Sequence, residues 1–332
     1  MKGIKHRLRR GAVLVLLCLV LSGEALAADT LVPMGCTVGI QLETDGVMVA
    51  GFSEVDTENG PMTPAADAGL MAGDVITGIG KHRTGSAAEF LSAIAELDGE
   101  EVELTARRNG KELLFRLKPA MSQDGGWKLG LWLRDGVDGI GTITYYDPES
   151  GCFGALGHGI NDMDTGRLLP FENGSITDVT VKDVVKGTPG RPGELCGQPD
   201  ESSVLGELKK NTDCGVFGTA QLDWNREAIP VGEEEDVKLG PATILSTVSD
   251  GGVEEYSIEI SRIYRHPEEH RFLLLTVTDP RLLEQTGGIV QGMSGSPIIQ
   301  DGKLIGAVTH VLISDSTRGY GISIQDMLDA AG

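Results

Sequence analysis

The clearest chemical feature of the chain is a serine held on a tight turn of small residues. Ser294 lies between Gly292 and Gly295, and Pro297 follows at the start of an apolar strand. Glycine has no Cβ atom, so the backbone can bend sharply there and its N–H groups can face an oxyanion. The pattern is typical of a nucleophilic serine, although such turns also occur as plain structural loops.

A histidine stands in an equally unusual setting upstream. His158 lies between Gly157 and Gly159, after a segment that alternates like a strand. Imidazole is the usual general base for a serine because its pKa lies near neutral pH. His310 ends a strand after the serine and is a weaker alternative. We therefore predict His158 as the base.

The serine loop resembles the nucleophile loop of chymotrypsin-like serine proteases. Met293 and Ser296 replace the aspartate and the second glycine that this loop usually carries. In such proteases the triad residues occur along the chain in the order His, Asp, Ser. The aspartate is therefore expected between residues 158 and 294. Asp279, at the end of an apolar run, is the predicted orienting acid. Asp250, before two glycines, is a rival that fits a turn equally well.

The oxyanion hole of this mechanism would be made by backbone N–H groups. We predict that Gly292 and Ser294 supply them, two positions apart. Hydrolysis by a serine and a histidine requires no metal and no organic cofactor. The cysteine and histidine spacings do not indicate a zinc site either.

Longer segments resemble one family, the SpoIVB peptidases, which are sporulation serine peptidases of endospore-forming Firmicutes. The segments that carry the resemblance are residues 141–148, 153–160, 288–297 and 306–311. The resemblance implies His158 as base, Asp279 as acid and Ser294 as nucleophile. It further implies self-cleavage and cleavage of a membrane-associated regulatory protein, which triggers activation of a late sigma factor. By the same resemblance the enzyme works in the intermembrane space of the forespore.

Two alternatives to this function remain open from the sequence. An exported quality-control protease can carry the same type of PDZ domain, but usually places it after the protease domain. A catalytically silent PDZ scaffold would have the same fold without the triad geometry. Broad cleavage of unfolded proteins favours the first alternative, and one or two defined cuts favour signalling.

The N-terminus predicts export. A basic start and an apolar run over residues 12–21 precede Ala25-Leu26-Ala27, a cleavage pattern of the A-x-A type. The apolar run is shorter than the about 20 residues of a bilayer span. We predict residues 1–27 as a cleaved signal peptide, with an uncleaved membrane leader as the alternative. The protein would then be secreted or membrane-associated.

The net charge of the chain indicates which classes of partner are unfavourable. The net charge is −21, which argues against nucleic acid and against an anionic membrane surface. The predicted serine chemistry indicates peptide or protein substrates instead. Outside the leader the cysteines are Cys36, Cys152, Cys196 and Cys214, of which Cys196 and Cys214 are the pair we would join by a disulfide.

Residues 33–118 resemble a PDZ domain of the type found in bacterial proteases. The segment from Ala66 to Ile76 carries the pattern A-D-A-G-L-x-x-G-D-x-I, and Ser86 caps an amphipathic helix. A PDZ domain binds an extended peptide or a C-terminus as an added strand. We predict that the carboxylate-binding loop contains Gly35, Gly39 and Ile40. The alternative is a domain that only packs against its neighbour.

The pattern of residues 130–332 predicts many short apolar strands separated by glycine. The predicted strands are 139–146, 176–185, 215–222, 242–248, 256–263, 272–277 and 298–311, with a late helix over 324–331. Asn109-Gly110 and Asp301-Gly302 are strong hairpin turns. The fold class predicted is mainly β: a PDZ domain followed by a chymotrypsin-like double β-barrel protease domain.

Overall fold

A computed structural model describes residues 30–265 and 270–332, with only the backbone of Glu201. The predicted leader, residues 1–27, lies outside the described residues. Within them, no helix is long and apolar enough to cross a bilayer.

Strands make up most of the described chain. The first part contains β1 (Thr30–Pro33), β2 (Thr37–Phe52), β3 (Val55–Thr57), β4 (Gly60–Met62), α1 (Pro64–Asp67), β5 (Val75–Ile79), β6 (His82–Arg83), α2 (Ala87–Ala95), β7 (Val102–Arg108), β8 (Lys111–Leu117), β9 (Ala120–Met121) and β10 (Trp127–Lys128).

The second part is longer and holds the two barrels. It contains β11 (Leu131–Asp147), β12 (Cys152–Ala155), β13 (Asn173–Val185), β14 (Glu194–Thr212), β15 (Gly215–Ala220), β16 (Ile229–Pro230), a 3₁₀ helix (Glu234–Asp236), β17 (Gly240–Thr247), β18 (Val253–Ile263), β19 (Leu273–Val277), α3 (Pro280–Thr286), β20 (Pro297–Gln300), β21 (Lys303–Leu312), β22 (Asp315–Ser323) and α4 (Ile324–Ala331).

The strands close into two antiparallel barrels. The first follows the order β11-β12-β15-β14-β13-β2, and pairing of β2 with β11 completes the ring. The second is closed in the order β17-β18-β19-β22-β21-β20. Each encloses its own apolar core. The predicted double β-barrel is confirmed.

The PDZ unit shares two strands, β2 and β11, with the first barrel. Strand β11 pairs with both halves of β2, at residues 37–43 and again at 48–52, whereas β13 pairs only with the first half and β5 pairs with Val47 and Met48 in the second. Between the halves, Gly46 has φ +121°, a backbone conformation suited to glycine. Strands β5, β7 and β8 and helix α2 complete the unit around a separate apolar core. The two units are therefore joined through two continuous, paired strands, β2 and β11.

The local turn and cap predictions agree with the structure. Asn109 and Gly110 have φ of 51° and 74°, and Asp301 and Gly302 have 51° and 77°. Two consecutive positive φ values are those of a type I′ hairpin turn. Ser86 caps α2 by accepting a hydrogen bond from the Glu89 N–H at 3.2 Å.

Two of the longer barrel strands, β14 and β22, are among those that the sequence does not predict. Strand β14 is polar and contains Pro199, so it lacks the apolar alternation expected of a strand. It forms a long hairpin with β13. Strand β22 contains Gly319 and Gly321, which suggest a turn in sequence. A Cβ atom on Gly319 would lie 2.7 Å from the His310 carbonyl oxygen, so close backbone approach requires the glycine.

The predicted pairing of Cys196 with Cys214 is wrong. Within the described residues all four cysteines are free thiols. Cys196 lies near the start of β14, opposite Asp183, and Cys214 lies in the turn that follows the end of the same strand. An extended strand separates its ends by about 3.3 Å per residue, far more than the about 7 Å between Cα atoms that a disulfide spans.

Candidate active site

The serine loop runs from the end of α3 to the start of β20, between the two barrels. Gly292 and Gly295 have φ of +95° and +98°, a region that favours glycine. A Cβ atom on Gly295 would lie 2.0 Å from the Thr142 carbonyl oxygen of the first barrel. Met293 is fully buried in the core of the second barrel. The loop is thus anchored in both barrels and presents the half-buried Ser294 between them.

Hydrogen bonds fix this loop against neighbouring strands. The Ser294 hydroxyl donates to the Thr309 carbonyl oxygen at 2.6 Å. Thr142 donates its N–H to the Ser294 carbonyl oxygen at 3.0 Å and its hydroxyl to the Gly292 carbonyl oxygen at 2.7 Å. The N–H groups of Gly292 and Ser294 donate to no acceptor among residues 30–265 and 270–332. These are the two N–H groups that the sequence predicts for an oxyanion hole, a role that stays a prediction.

His158 lies just after β12, on a left-handed bend. Leu156 and Gly157 have φ of +70° and +69°, which turn the chain so that the half-buried imidazole lines the cleft beside Ser294. Its Nδ1 lies 2.9 Å from the Gly159 carbonyl oxygen. An imidazole protonated at Nδ1 donates this bond and keeps a lone pair on Nε2, as a general base requires. Burial lowers the pKa of His158, so the ring is neutral at neutral pH.

A second histidine stands beside the first. The rings of His158 and His310 have centroids 4.8 Å apart and are tilted by 36°. The His310 side chain lines the cleft and is partly exposed to solvent, yet desolvation lowers its pKa to about 4, and the charges of His158 and Arg271 act in the same direction. His310 is therefore also neutral at neutral pH. The sequence analysis ranked it below His158 because of its place in the chain.

Ser294, His158 and His310 open onto one cleft of about 580 Å³ between the barrels. Most other walls are apolar, and among them are Ile40, Val137, Ile140, Leu156, Ile160, Met163, Ile289, Val290, Val311 and Ile313. An apolar cleft with a few convergent polar groups is the usual form of a binding site. The cleft suits an extended peptide with apolar side chains.

Asp279 lies elsewhere. It caps α3, accepting hydrogen bonds from the N–H groups of Arg281 at 2.9 Å and Ser257 at 3.2 Å. The Arg281 guanidinium also binds the carboxylate at 3.0 Å, and these contacts hold the pKa of Asp279 below its usual range. No contact with His158 occurs within the described residues, and Asp279 does not line the cleft. The rival Asp250 is an exposed turn residue.

The residues predicted to bind a PDZ ligand lie in the barrels. Gly39 and Ile40 belong to β2, with β11 on one side and β13 on the other, so this stretch has no free edge. Gly35 packs against Leu245 of the second barrel. Ile40 lines the catalytic cleft. The structure thus places these three residues away from α2, which was predicted to form the other wall of the groove.

A groove of about 620 Å³ does lie beside α2. Leu91 and Ile94 of the helix line it together with Leu131 and Leu133 of β11. Gly130, with φ +71°, turns the chain into β11 at one end of the groove. Sequence reasoning missed this lining because it ended the PDZ domain at residue 118. The available signal was the pattern Leu129-Gly130-Leu131, a glycine between apolar residues.

Two family profiles match this chain. The profile described as SpoIVB peptidase S55 matches residues 125–328, and the PDZ domain profile matches residues 37–118. The chain belongs to the SpoIVB peptidase S55 family. It is a PDZ-containing serine peptidase, as the resemblance of the short segments implied. No match was found among curated proteins.

Three solved structures are similar to parts of the chain. A PDZ domain of an SdrC-like protein from Listeria monocytogenes is 30% identical, with 27% of this chain and 87% of that chain covered and a TM-score of 0.22. The active form of the Rv3671c protease from M. tuberculosis is 16% identical, with 60% and 75% covered and a TM-score of 0.33. Its inactive form is 14% identical, with 58% and 82% covered and the same TM-score.

Proposed function

We propose that this member of the SpoIVB peptidase family is an endopeptidase that uses Ser294 as nucleophile and His158 as general base. The observation that carries the proposal is the opening of both side chains onto one apolar cleft, beside two backbone N–H groups without an acceptor among the described residues. This arrangement contains the parts that acyl transfer needs.

The reaction would proceed through an acyl-enzyme. On substrate binding the Ser294 hydroxyl turns from Thr309 to Nε2 of His158, which takes its proton as Oγ attacks the peptide carbonyl. The N–H groups of Gly292 and Ser294 stabilise the negative oxygen, and losing one such donor costs about 3 kcal/mol. The imidazolium then gives its proton to the leaving amine, and water releases the acid by the reverse sequence.

The role predicted for Asp279 would need a different arrangement. To orient His158, its carboxylate would have to leave Arg281 and Ser257 and reach the cleft. In the present geometry the carbonyl of Gly159 takes the place beside Nδ1 that a carboxylate occupies in a His-Asp-Ser triad. Asp279 as orienting acid therefore stays a prediction from sequence.

The physiological role we propose follows the family resemblance. The enzyme is exported, cleaves itself and cuts a membrane-associated regulatory protein in the intermembrane space of the forespore, which triggers a late sigma factor. The groove beside α2 is the proposed site for a peptide or C-terminus, since its apolar walls and the adjoining strand suit addition of an extended chain.

Self-cleavage offers the first experiment. The chain without residues 1–27 is incubated beside Ser294→Ala and followed by intact mass over time. Ser314→Ala, on an exposed turn between β21 and β22, is the matched control. We expect defined fragments from the parent and from Ser314→Ala, and none from Ser294→Ala.

The pattern of cleavage separates the alternatives. One or two defined cuts support a signalling enzyme, and broad degradation of an added unfolded protein supports quality control. Equal fragmentation of the parent and Ser294→Ala, with both folded by circular dichroism, would exclude Ser294 as the nucleophile.

A further inference from the structure

We infer that His310 is a positioning residue that holds the His158 imidazole in place by ring packing. The inference rests on the proposed function, because it concerns the base of that reaction. His310 would orient the His158 imidazole without touching the reacting atoms itself.

The geometry restrains the ring from two directions. The Gly159 carbonyl oxygen lies 2.9 Å from Nδ1 and fixes one edge of the His158 imidazole. The His310 ring lies against it with a centroid distance of 4.8 Å and a tilt of 36°. This distance lies within the range of about 4.5–7 Å for packed ring pairs. Together the two contacts oppose rotation of the base about its side-chain bonds.

The backbone explains why His310 reaches this place. The pairing of β21 with β22 shifts register between Val308 and Val311, which is a bulge. Bulges re-aim side chains and are common next to active sites. Here the bulge turns the Thr309 carbonyl toward Ser294 and the next side chain, His310, toward His158. Two consecutive residues thus hold the nucleophile and the base.

Electrostatics fits this role. Among the described residues, no carboxylate forms a hydrogen bond or ion pair with either imidazole of the pair. The charged and titratable groups that act on His310 are His158 and Arg271. Because His310 stays neutral down to acidic pH, it can lie against the imidazolium that forms on His158 without charge repulsion.

The test compares His310→Ala, which removes the ring, with His310→Phe, which keeps an aromatic face but no titratable nitrogen. One readout is the rate at which a fluorophosphonate labels Ser294. The other is the pH titration of the His158 ring by NMR, assigned with His158→Gln. His82→Ala, in the PDZ unit, is the matched histidine control.

For His310→Ala we expect labelling to slow by about 10- to 100-fold, since small misplacements of a base have effects of that size. The pKa of His158 should rise toward its ordinary value because burial is lost. His310→Phe should restore labelling to within about threefold of the parent, as expected for a packing role. His82→Ala should match the parent.

Two results would overturn the inference. The first is a His310→Ala variant that matches the parent in both labelling and His158 titration. The second is a folded His310→Phe variant that labels as slowly as His310→Ala, because the nitrogen atoms would then be required. Failure of the proposed function is a separate outcome: the parent would label no faster than Ser294→Ala, while the His158 titration would still test the packing.

Discussion

The Ser294 hydroxyl donates a hydrogen bond of 2.6 Å to the carbonyl oxygen of Thr309. The nucleophile is therefore held by a backbone acceptor before substrate arrives, and its proton must be redirected to His158 for attack. A peptide bound in the cleft can drive this rotation, because the N–H groups of Gly292 and Ser294 then gain an acceptor.

Activity should persist to low pH before protonation of His158 abolishes it. Burial lowers the pKa of His158 below its ordinary value of 6.5, so the neutral base persists as pH falls. We expect kcat/KM for the free enzyme to lose half its value at a pH below 6.5. A pH–rate profile measured on a cleaved peptide checks this. A midpoint above 6.5 would show that His158 gains a stabilising anion that the present geometry lacks.

Asp279→Asn separates the two roles of this carboxylate. We expect kcat per folded enzyme to stay within about tenfold of the parent, whereas loss of a triad aspartate costs about 10⁴-fold. Asp279→Ala should cost about 1 kcal/mol of stability through loss of the helix cap. Measuring kcat per folded enzyme separates a loss of catalysis from a loss of stability. A drop near the larger figure would establish Asp279 as the orienting acid.

The same carboxylate should affect acid stability. Its pKa in the folded protein lies below the ordinary 3.8 because of Arg281 and Ser257, so its contribution is complete above pH 3.8 and is lost as pH falls through the lower folded value. We expect the free energy of unfolding to fall less steeply with acidification in Asp279→Asn than in the parent. Urea unfolding at several pH values measures this, and parallel slopes would contradict it.

Gly295→Ala should damage both the loop and the fold. The added Cβ atom would meet the Thr142 carbonyl oxygen at 2.0 Å with φ at +98°, and we expect a loss of about 3 kcal/mol or more. Gly302→Ala is the matched control, because its φ is +77° but its Cβ would meet nothing within 4 Å. The control should cost about 1 kcal/mol and retain activity. Equal thermal stability of the two variants would argue against the close approach of the loop to Thr142.

The groove beside α2 predicts a peptide-binding phenotype. Leu91 is 60% exposed on the groove wall, and Leu91→Glu should weaken peptide binding by about tenfold or more. Leu114, 61% exposed on β8 and outside the groove, gives the control Leu114→Glu. Short peptides with free or amidated C-termini serve as probes in fluorescence anisotropy. If both variants weakened peptide binding equally, the groove would be excluded as the binding site.

Much of the local structure follows from sequence alone. The hairpins at Asn109-Gly110 and Asp301-Gly302 could be predicted because few residues tolerate two positive φ values in succession. Helix α2 was marked by its Ser86 cap and apolar spacing. The bend around Ser294 was signalled by two glycines, and the setting of His158 by two more. These features depend on a few neighbouring residues, so the sequence determined them.

Tertiary structure decided which of these residues meet. Asp279 ends an apolar run as an orienting acid would, but its position after β19 places it at the start of α3, where Arg281 and Ser257 bind it. His310 was ranked low because it follows the serine, and only the closure of the second barrel, with a bulge in β21, brings it beside His158. Gly39 and Ile40 were expected beside α2, but their strand is enclosed by β11 and β13. Such outcomes depend on long-range strand pairing, whose register is set by whole barrels and is not encoded in a short motif.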